Sequence, residues 1–279
     1  MKPYLKATLF LIILTLFDFL FRKGLVGHFI PFQLSSNYVI LILFTVFAFL
    51  SWLITKWFCR RDNISTHHDL GISLNSKNRN EFFIGFLVGV ILWGIVSIIQ
   101  SVTAGFSWEL RPNISVYNIF YGLIFIFIAD LGTELYTRGY PLKRFEDSFG
   151  TRIAIVIMVF FVGLKSFTFA IGFELLFYMM IIPALHTIFF SIVYFKTRRL
   201  GAALGIHTGA NFVTISIFDL RIEQPNQAIP SGLFQSNTDI ETLSLTALQL
   251  PWVLVAVLFT IAVYYWWEKQ KKPMHEHRL

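Results

Sequence analysis

Residues 116–139, VYNIFYGLIFIFIADLGTELYTRG, combine an apolar run with charges embedded in it. A bilayer core needs about 20 apolar residues per helix, and the run at 116–137 meets that length. Asp130, Glu134 and Arg138 recur every four residues, so they share one face of the predicted helix. Ionisable groups inside a membrane span are costly and usually mark a functional site. This stretch therefore predicts a membrane helix that carries part of such a site.

The composition extends this prediction to the whole chain. Of the 279 residues, 56% are hydrophobic and only 14% are charged, whereas a soluble domain carries about 25% charged residues. We predict an all-α, polytopic membrane protein. The predicted spans number about eight and lie near residues 4–21, 38–58, 82–101, 116–137, 153–171, 175–195, 200–218 and 247–267.

The distribution of basic residues predicts the orientation, because cytoplasmic loops are enriched in lysine and arginine. With both termini in the cytoplasm, most basic residues fall on that side, and the loop at 219–246 on the opposite side is acidic. The net charge of +7 then reflects topology. Nucleic-acid binding is not predicted, because it would need basic residues clustered on a soluble domain. We expect a multi-pass protein of a bacterial plasma membrane, in contact with the lipid bilayer.

The chain divides into four predicted regions. Residues 1–115 form three N-terminal spans, and residues 116–218 form a core that holds the polar residues. Residues 219–246 form an extracytoplasmic loop, and residues 247–279 form the last span and a basic tail. The first apolar run has no small-residue cleavage site after it, so we expect a retained anchor helix.

Three further polar residues lie inside predicted spans of the core. Lys165 lies within the fifth span, and His207 and Asn211 lie four residues apart on one face of the seventh. A buried lysine needs a carboxylate partner or loses its charge. Glu134 and Asp130 are the expected partners of Lys165.

Three short segments in the core resemble the motifs of a known family. Residues 132–139 (GTELYTRG), 161–165 (FVGLK) and 207–211 (HTGAN) resemble the motifs Glu-Glu-x-x-x-Arg, Phe-x-x-x-His and His-x-x-x-Asn of the CPBP family. That family includes type II CAAX prenyl endopeptidases and bacteriocin-immunity proteins. The stretch 194–206 before the third motif is also similar, and the resemblance covers residues 116–218.

The resemblance implies a division of roles among the site residues. In the family, the first glutamate and the motif-two histidine prepare a water for attack on a peptide bond, and the motif-three pair stabilises the oxyanion. Carried over, Glu134 matches the second glutamate, Arg138 the arginine, and His207 and Asn211 the last pair. The chain departs from the family at two positions. Thr133 stands in place of the first glutamate, and Lys165 stands in place of the motif-two histidine.

The two replacements bear directly on catalysis. A threonine hydroxyl is not a useful base near neutral pH. Asp130 lies about 4.5 Å from Thr133 along the helix axis, so it can take the place of the missing glutamate only if the substrate shifts. Lys165 has two interpretations: a protonated lysine in a structural salt bridge, or a neutral lysine that acts as a base. A zinc site needs three or four histidine, cysteine or carboxylate ligands, and Lys165 would repel the ion. No metal and no cofactor are predicted.

The predicted function follows from the resemblance and its two departures. The chain is expected to be an intramembrane endopeptidase-like protein, acting on a membrane-embedded or prenylated peptide, with impaired or altered catalysis. The alternative is a non-catalytic membrane protein that uses the same cavity for binding, as a scaffold or in bacteriocin immunity.

Overall fold

The computed structural model describes residues 1–20, 37–112, 115–166, 172–220 and 232–269. Helices account for most of them. The helices are α1 (Pro3–Asp18), α2 (Asn37–Arg61), α3 (Ser76–Ala104), α4 (Val116–Arg138), α5 (Tyr140–Phe149), α6 (Thr151–Lys165), α7 (Phe173–Thr197), α8 (Leu200–Phe212) and α9 (Leu245–Lys269). The strands are β1 (Trp108–Leu110), β2 (Phe218–Asp219) and β3 (Phe234–Ser236).

Within the described ranges, six helical segments are long and apolar enough to cross a membrane: Leu41–Arg61, Ser76–Ala104, Val116–Phe149, Phe173–Thr197, Leu200–Ile217 and Leu245–Lys269. The prediction of an all-α, multi-pass membrane protein is therefore confirmed. The other two predicted spans correspond to α1, with 16 residues, and α6, with 15. Both are shorter than the roughly 20 residues of a full crossing. The end of the predicted fifth span, at 167–171, lies outside the described residues.

The chain breaks between α4 and α5 at Gly139. Gly139 leaves the helical conformation, with φ −78° and ψ −122°, and Pro141 occupies the first turn of α5. Proline suits a first turn, because it lacks a backbone N–H group and the N–H groups of the first turn have no acceptor within the helix. The break at Gly139 ends α4 at Arg138 and so places the arginine in the last turn of the helix.

A seam of glycines joins α3 to α8. Gly85 and Gly89 on α3 face the backbone of α8, while Gly205 and Gly209 on α8 face the backbone of α3. A Cβ atom added to Gly205 would collide with the carbonyl oxygen of Phe82. Small residues spaced four apart let membrane helices approach until their backbones touch. The seam therefore fixes the rotation and height of α8, which carries His207 and Asn211.

The three short strands form a sheet at one end of the helix bundle. Their order is β1-β3-β2, with β1 antiparallel to β3 and β2 parallel to it. Asp219 helps to fix the sheet, because its Oδ2 accepts a 2.9 Å hydrogen bond from the amide of Gly232. The sheet ties the residues that follow α8 to the loop before α4.

The opposite end, which we call the basic face, is organised around Asp62. Its buried carboxylate accepts a hydrogen bond from Tyr140 (2.6 Å) and pairs with Arg144 (2.6 Å) and Lys6. Burial alone would raise the pKa of Asp62, but the hydrogen bonds from Lys6 and Tyr140 and the charge of Arg144 outweigh it and lower the pKa below its ordinary value of 3.8. Asp62 thus links the end of α2 to α1 and α5. Arg198 and Arg199, after α7, lie on the same face and pair with Glu146 and Glu81.

Adding one methyl group in the glycine seam should destabilise the protein. Gly205→Ala is expected to cost about 1–3 kcal/mol of stability, because the new Cβ meets rigid backbone of α3. The matched control is Gly94→Ala on α3, where an added Cβ has no neighbour within 4 Å and alanine favours the helix. Thermal unfolding of the purified protein in detergent compares the two variants, and equal midpoints would contradict the seam.

Replacing Asp62 should destabilise the protein in a pH-dependent way. Because the folded-state pKa is lowered, the stabilisation is present above pH 3.8 and is lost as the pH falls through the folded pKa. Asp62→Asn is therefore expected to unfold at a lower temperature than the wild type at pH 7. The gap should narrow as the pH drops below 3.8. The control is Asp147→Asn, which alters exposed ion pairs of small effect. A gap that is constant with pH would refute the role of Asp62.

Candidate functional site

The site is built around Glu134, whose side chain is completely buried. Its Oε1 accepts a 2.9 Å hydrogen bond from Nη1 of Arg138, one helical turn later, and lies 2.8 Å from Nδ1 of His207 on α8. Arg138 also donates to Oγ1 of Thr137 and lies 4.8 Å from the centre of the Phe190 ring on α7. One carboxylate oxygen therefore connects the arginine of α4 to the histidine of α8.

A second carboxylate of α4, Asp130, completes the contact with α8. Asn211 donates a 2.7 Å hydrogen bond from Nδ2 to Oδ1 of Asp130. The same oxygen lies 3.5 Å from Nε2 of His207. The two ring nitrogens of His207 thus face different carboxylates, Glu134 on one side and Asp130 on the other. The pairs 130/134 and 207/211 are each separated by one turn, which lets two helices meet residue against residue.

Asp130 was not among the principal site residues that the motifs indicate. The signal for it lay in the spacing, because Asp130 shares a helix face with Glu134. The four motif residues that the structure does bring together are Glu134, Arg138, His207 and Asn211.

Each of the two carboxylates keeps one uncommitted oxygen. Oδ2 of Asp130 and Oε2 of Glu134 are buried and accept no hydrogen bond from the described residues. Buried polar atoms are nearly always paired, so an unpaired carboxylate oxygen is a strong acceptor for a donor group that enters the site. In contrast, His207 (19% of its side chain is exposed) and Asn211 are only partly buried and form the accessible side of the cluster.

Thr133 lies next to the cluster without joining it. Its hydroxyl donates a 3.0 Å hydrogen bond to the carbonyl oxygen of Ala129, in its own helix. Successive residues of a helix point about 100° apart, so Thr133 and Glu134 face different neighbours. The family position of the first glutamate therefore carries neither a charge nor a base.

Lys165 does not contact Glu134 or Asp130, so the expected pairing is wrong. Its ammonium pairs with Oδ2 of Asp18 on α1 at 3.0 Å and lies 4.3 Å from the centre of the Tyr136 ring. Tyr136 follows Glu134 by two residues and therefore points about 200° away around α4. The ion pair holds Lys165 on that other side of α4. Of the two interpretations of Lys165, the geometry favours the structural salt bridge, although with a different carboxylate.

Tyr136 extends this second polar group. Its hydroxyl forms a hydrogen bond with Oγ1 of Thr15 on α1, and its ring packs edge-on against Phe161 on α6, 5.6 Å between centres. The motif-two position is thus part of a junction between α1, α4 and α6. Among the described residues, no group of three or more histidine, cysteine, aspartate or glutamate side chains has an arrangement suited to holding a metal ion.

Comparison with known proteins identifies the part of the chain that carries the site. Residues 113–213 match the family model described as type II CAAX prenyl endopeptidase Rce1-like. The match spans α4 to α8 and covers less than half of the chain. No curated protein and no solved structure gives a significant match. The matched residues include the cluster of Glu134, Arg138 and His207, and the match agrees with the resemblance that the motifs indicate.

Proposed function

We propose that the chain is a CAAX protease-like protein of the bacterial plasma membrane whose site binds a membrane-embedded peptide, prenylated or not, and whose hydrolytic activity is impaired. The observation that carries the proposal is the position of Lys165. Its ion pair with Asp18 removes the motif-two side chain from the cluster, and Thr133 hydrogen-bonds to its own helix. Neither replacement supplies a base for water.

The residues that remain in the cluster are suited to binding. A peptide that unwinds inside a membrane must find partners for its backbone N–H and C=O groups. The free carboxylate oxygens of Asp130 and Glu134 accept hydrogen bonds from N–H groups, and Asn211 and His207 lie on the accessible side. Arg138 neutralises Glu134, which keeps the buried cluster stable while a substrate is absent.

Restoring the family residues should create peptidase activity. The variant Thr133→Glu/Lys165→His places a base and a histidine at the two family positions. It removes the ammonium group that pairs with Oδ2 of Asp18, and removing one member of a buried ion pair is destabilising. Asp18→Asn is therefore added to the variant. Cleavage of a peptide library and of prenylated peptides, in detergent and in liposomes, is expected to rise from background by about 100-fold or more, the usual contribution of a positioned acid–base group.

The control for this experiment carries the same three changes together with His207→Ala, which removes the ring that lies between Glu134 and Asp130. Activity of the triple variant that disappears with His207→Ala supports an impaired but otherwise intact site. Equal cleavage by the wild type and the triple variant would refute the impairment. Peptide capture by the wild type without cleavage is the behaviour expected of a scaffold or immunity protein.

A second candidate function is peptide hydrolysis by a rearranged mechanism, and Asp130 is the observation that favours it. Its Oδ2 accepts no hydrogen bond from the described residues, while its Oδ1 is held by Asn211 and lies near His207. In this mechanism Asp130 removes a proton from water, and the hydroxide attacks the peptide carbonyl carbon. The protonated carboxyl group of Asp130 then gives this proton to the leaving amine as the C–N bond breaks, which restores the carboxylate.

The rearranged mechanism predicts a different pattern of variants. Wild-type protein would cleave, and Asp130→Asn, which keeps the size of the side chain but removes the base, would lower kcat by about 100-fold or more. Thr133→Val would leave kcat nearly unchanged, because Thr133 takes no part. The measurement is single-turnover cleavage of the peptides above. Retained kcat in Asp130→Asn would exclude this mechanism.

A further inference from the structure

A groove on the basic face lies away from the Glu134 cluster. It has a volume of about 560 Å³ and lies between the start of α6, the end of α7 and the end of α9. Its polar lining includes Arg152 and Arg198, and its apolar walls are formed by Phe149, Phe195 and Trp267. The groove thus combines two guanidinium groups with three aromatic rings. This combination suits a ligand that is anionic at one end and apolar at the other.

The two arginines retain the capacity to bind an anion. Arg152 is exposed and forms no hydrogen bond or ion pair with the described residues. Arg198 is half-exposed and donates to Glu146 from Nη1 at 2.8 Å, which leaves other N–H groups of its guanidinium available. The carboxylate of Glu146 is itself committed to Arg198 and to the hydroxyl of Thr151. The planar guanidinium is well matched to two oxygens of a phosphate group.

The groove opens toward the lipid-facing side of α6. An exposed apolar stripe begins beside Arg152 and runs along the helix through Ile153, Val156, Phe160 and Leu164. Large apolar residues exposed on a membrane helix face acyl chains. A molecule with its charged end at Arg152 would therefore have its apolar part along this stripe.

The end of α9 indicates that the groove lies at the depth of the lipid headgroups. Tyr265 and Trp266 are exposed there, and Lys196 lies 4.9 Å from the centre of the Trp266 ring. Tryptophan and tyrosine collect at the boundary between hydrocarbon and water, and lysine side chains extend toward the headgroups from the same depth.

We propose that this groove is a binding site for an anionic phospholipid, with the phosphate of the headgroup on Arg152 and Arg198 and one acyl chain along the stripe of α6. The assignment of the occupant rests on charge complementarity and on the continuity of the groove with the lipid-facing surface. Free phosphate would use the arginines but would gain nothing from the aromatic walls or the apolar stripe. The site is independent of whether the Glu134 cluster hydrolyses a peptide.

Charge reversal at Arg152 tests the site. The full chain, purified in detergent, is incubated with phosphatidylglycerol or phosphatidylcholine, and the bound lipid is counted by native mass spectrometry. The wild type is expected to retain phosphatidylglycerol in preference to phosphatidylcholine. Arg152→Glu should lower that preference by about tenfold or more, the size expected for a change of two charge units near an anionic headgroup. The residue has no partner among the described residues, so the fold should be kept.

The matched control is Arg79→Glu, the same change at an exposed position on the first turns of α3, outside the groove. It is expected to change the lipid preference by less than about twofold, because exposed charges beyond a screening length interact weakly. An equal loss of the lipid preference in both variants would overturn the proposal, because it would indicate only a general attraction between the basic face and anionic lipid. Inorganic phosphate at millimolar concentration serves as a competitor. If phosphate alone displaces the lipid from the wild type, the occupant is an anion and the proposal is overturned.

Discussion

The contact between Glu134, Arg138 and His207 is the interaction on which the arrangement of the core depends. A carboxylate removed from water inside a membrane is stable only with its charge compensated. Arg138 compensates it within α4, and His207 uses the same oxygen from α8. The polar contact therefore fixes the position of α8 along α4. The glycine seam lets α3 pack closely against α8 in that same position. The polar contact with α4 and the backbone packing against α3 thus both determine the position of α8.

The sequence was sufficient to predict the membrane fold. Apolar run length predicts the long spans directly, and the spacing of Glu134, Arg138, His207 and Asn211 places each pair of residues on one helix face. The spacing did not predict that these two faces meet, because Lys165 was an equally suitable partner for Glu134. Run length and spacing could not predict that the partner of Lys165 is Asp18. It depends on where the end of the short helix α1 lies, which brings Asp18 to Lys165, and apolar periodicity does not determine how helices are arranged around a bundle. The spacing of four residues between Gly85 and Gly89, and between Gly205 and Gly209, is the sequence signal from which the seam could have been predicted.

The position of Lys165 shows how a residue at a motif position can serve a helix junction instead of the polar cluster. A histidine at 165 would be short, and a lysine is long enough to reach Asp18 across the ring of Tyr136. Lys165 thus places its charge at the junction of α1, α4 and α6, away from the Glu134 cluster. Asp18 compensates the charge of Lys165, while Glu134 remains paired with Arg138. The Glu134 cluster and the Lys165 ion pair are therefore two separate polar groups on different sides of α4.

The glycine seam has a consequence for how the protein is made. During synthesis α3 enters the membrane well before α8 exists, so its glycine face is left without the helix that it is shaped to hold. A smooth, backbone-exposing strip on a membrane helix is attractive to any neighbour with small residues. The interval before α8 arrives is thus the period in which mispairing of helices is most damaging. The seam closes only after α4 to α7, which separate α3 from α8 in the sequence, have been made.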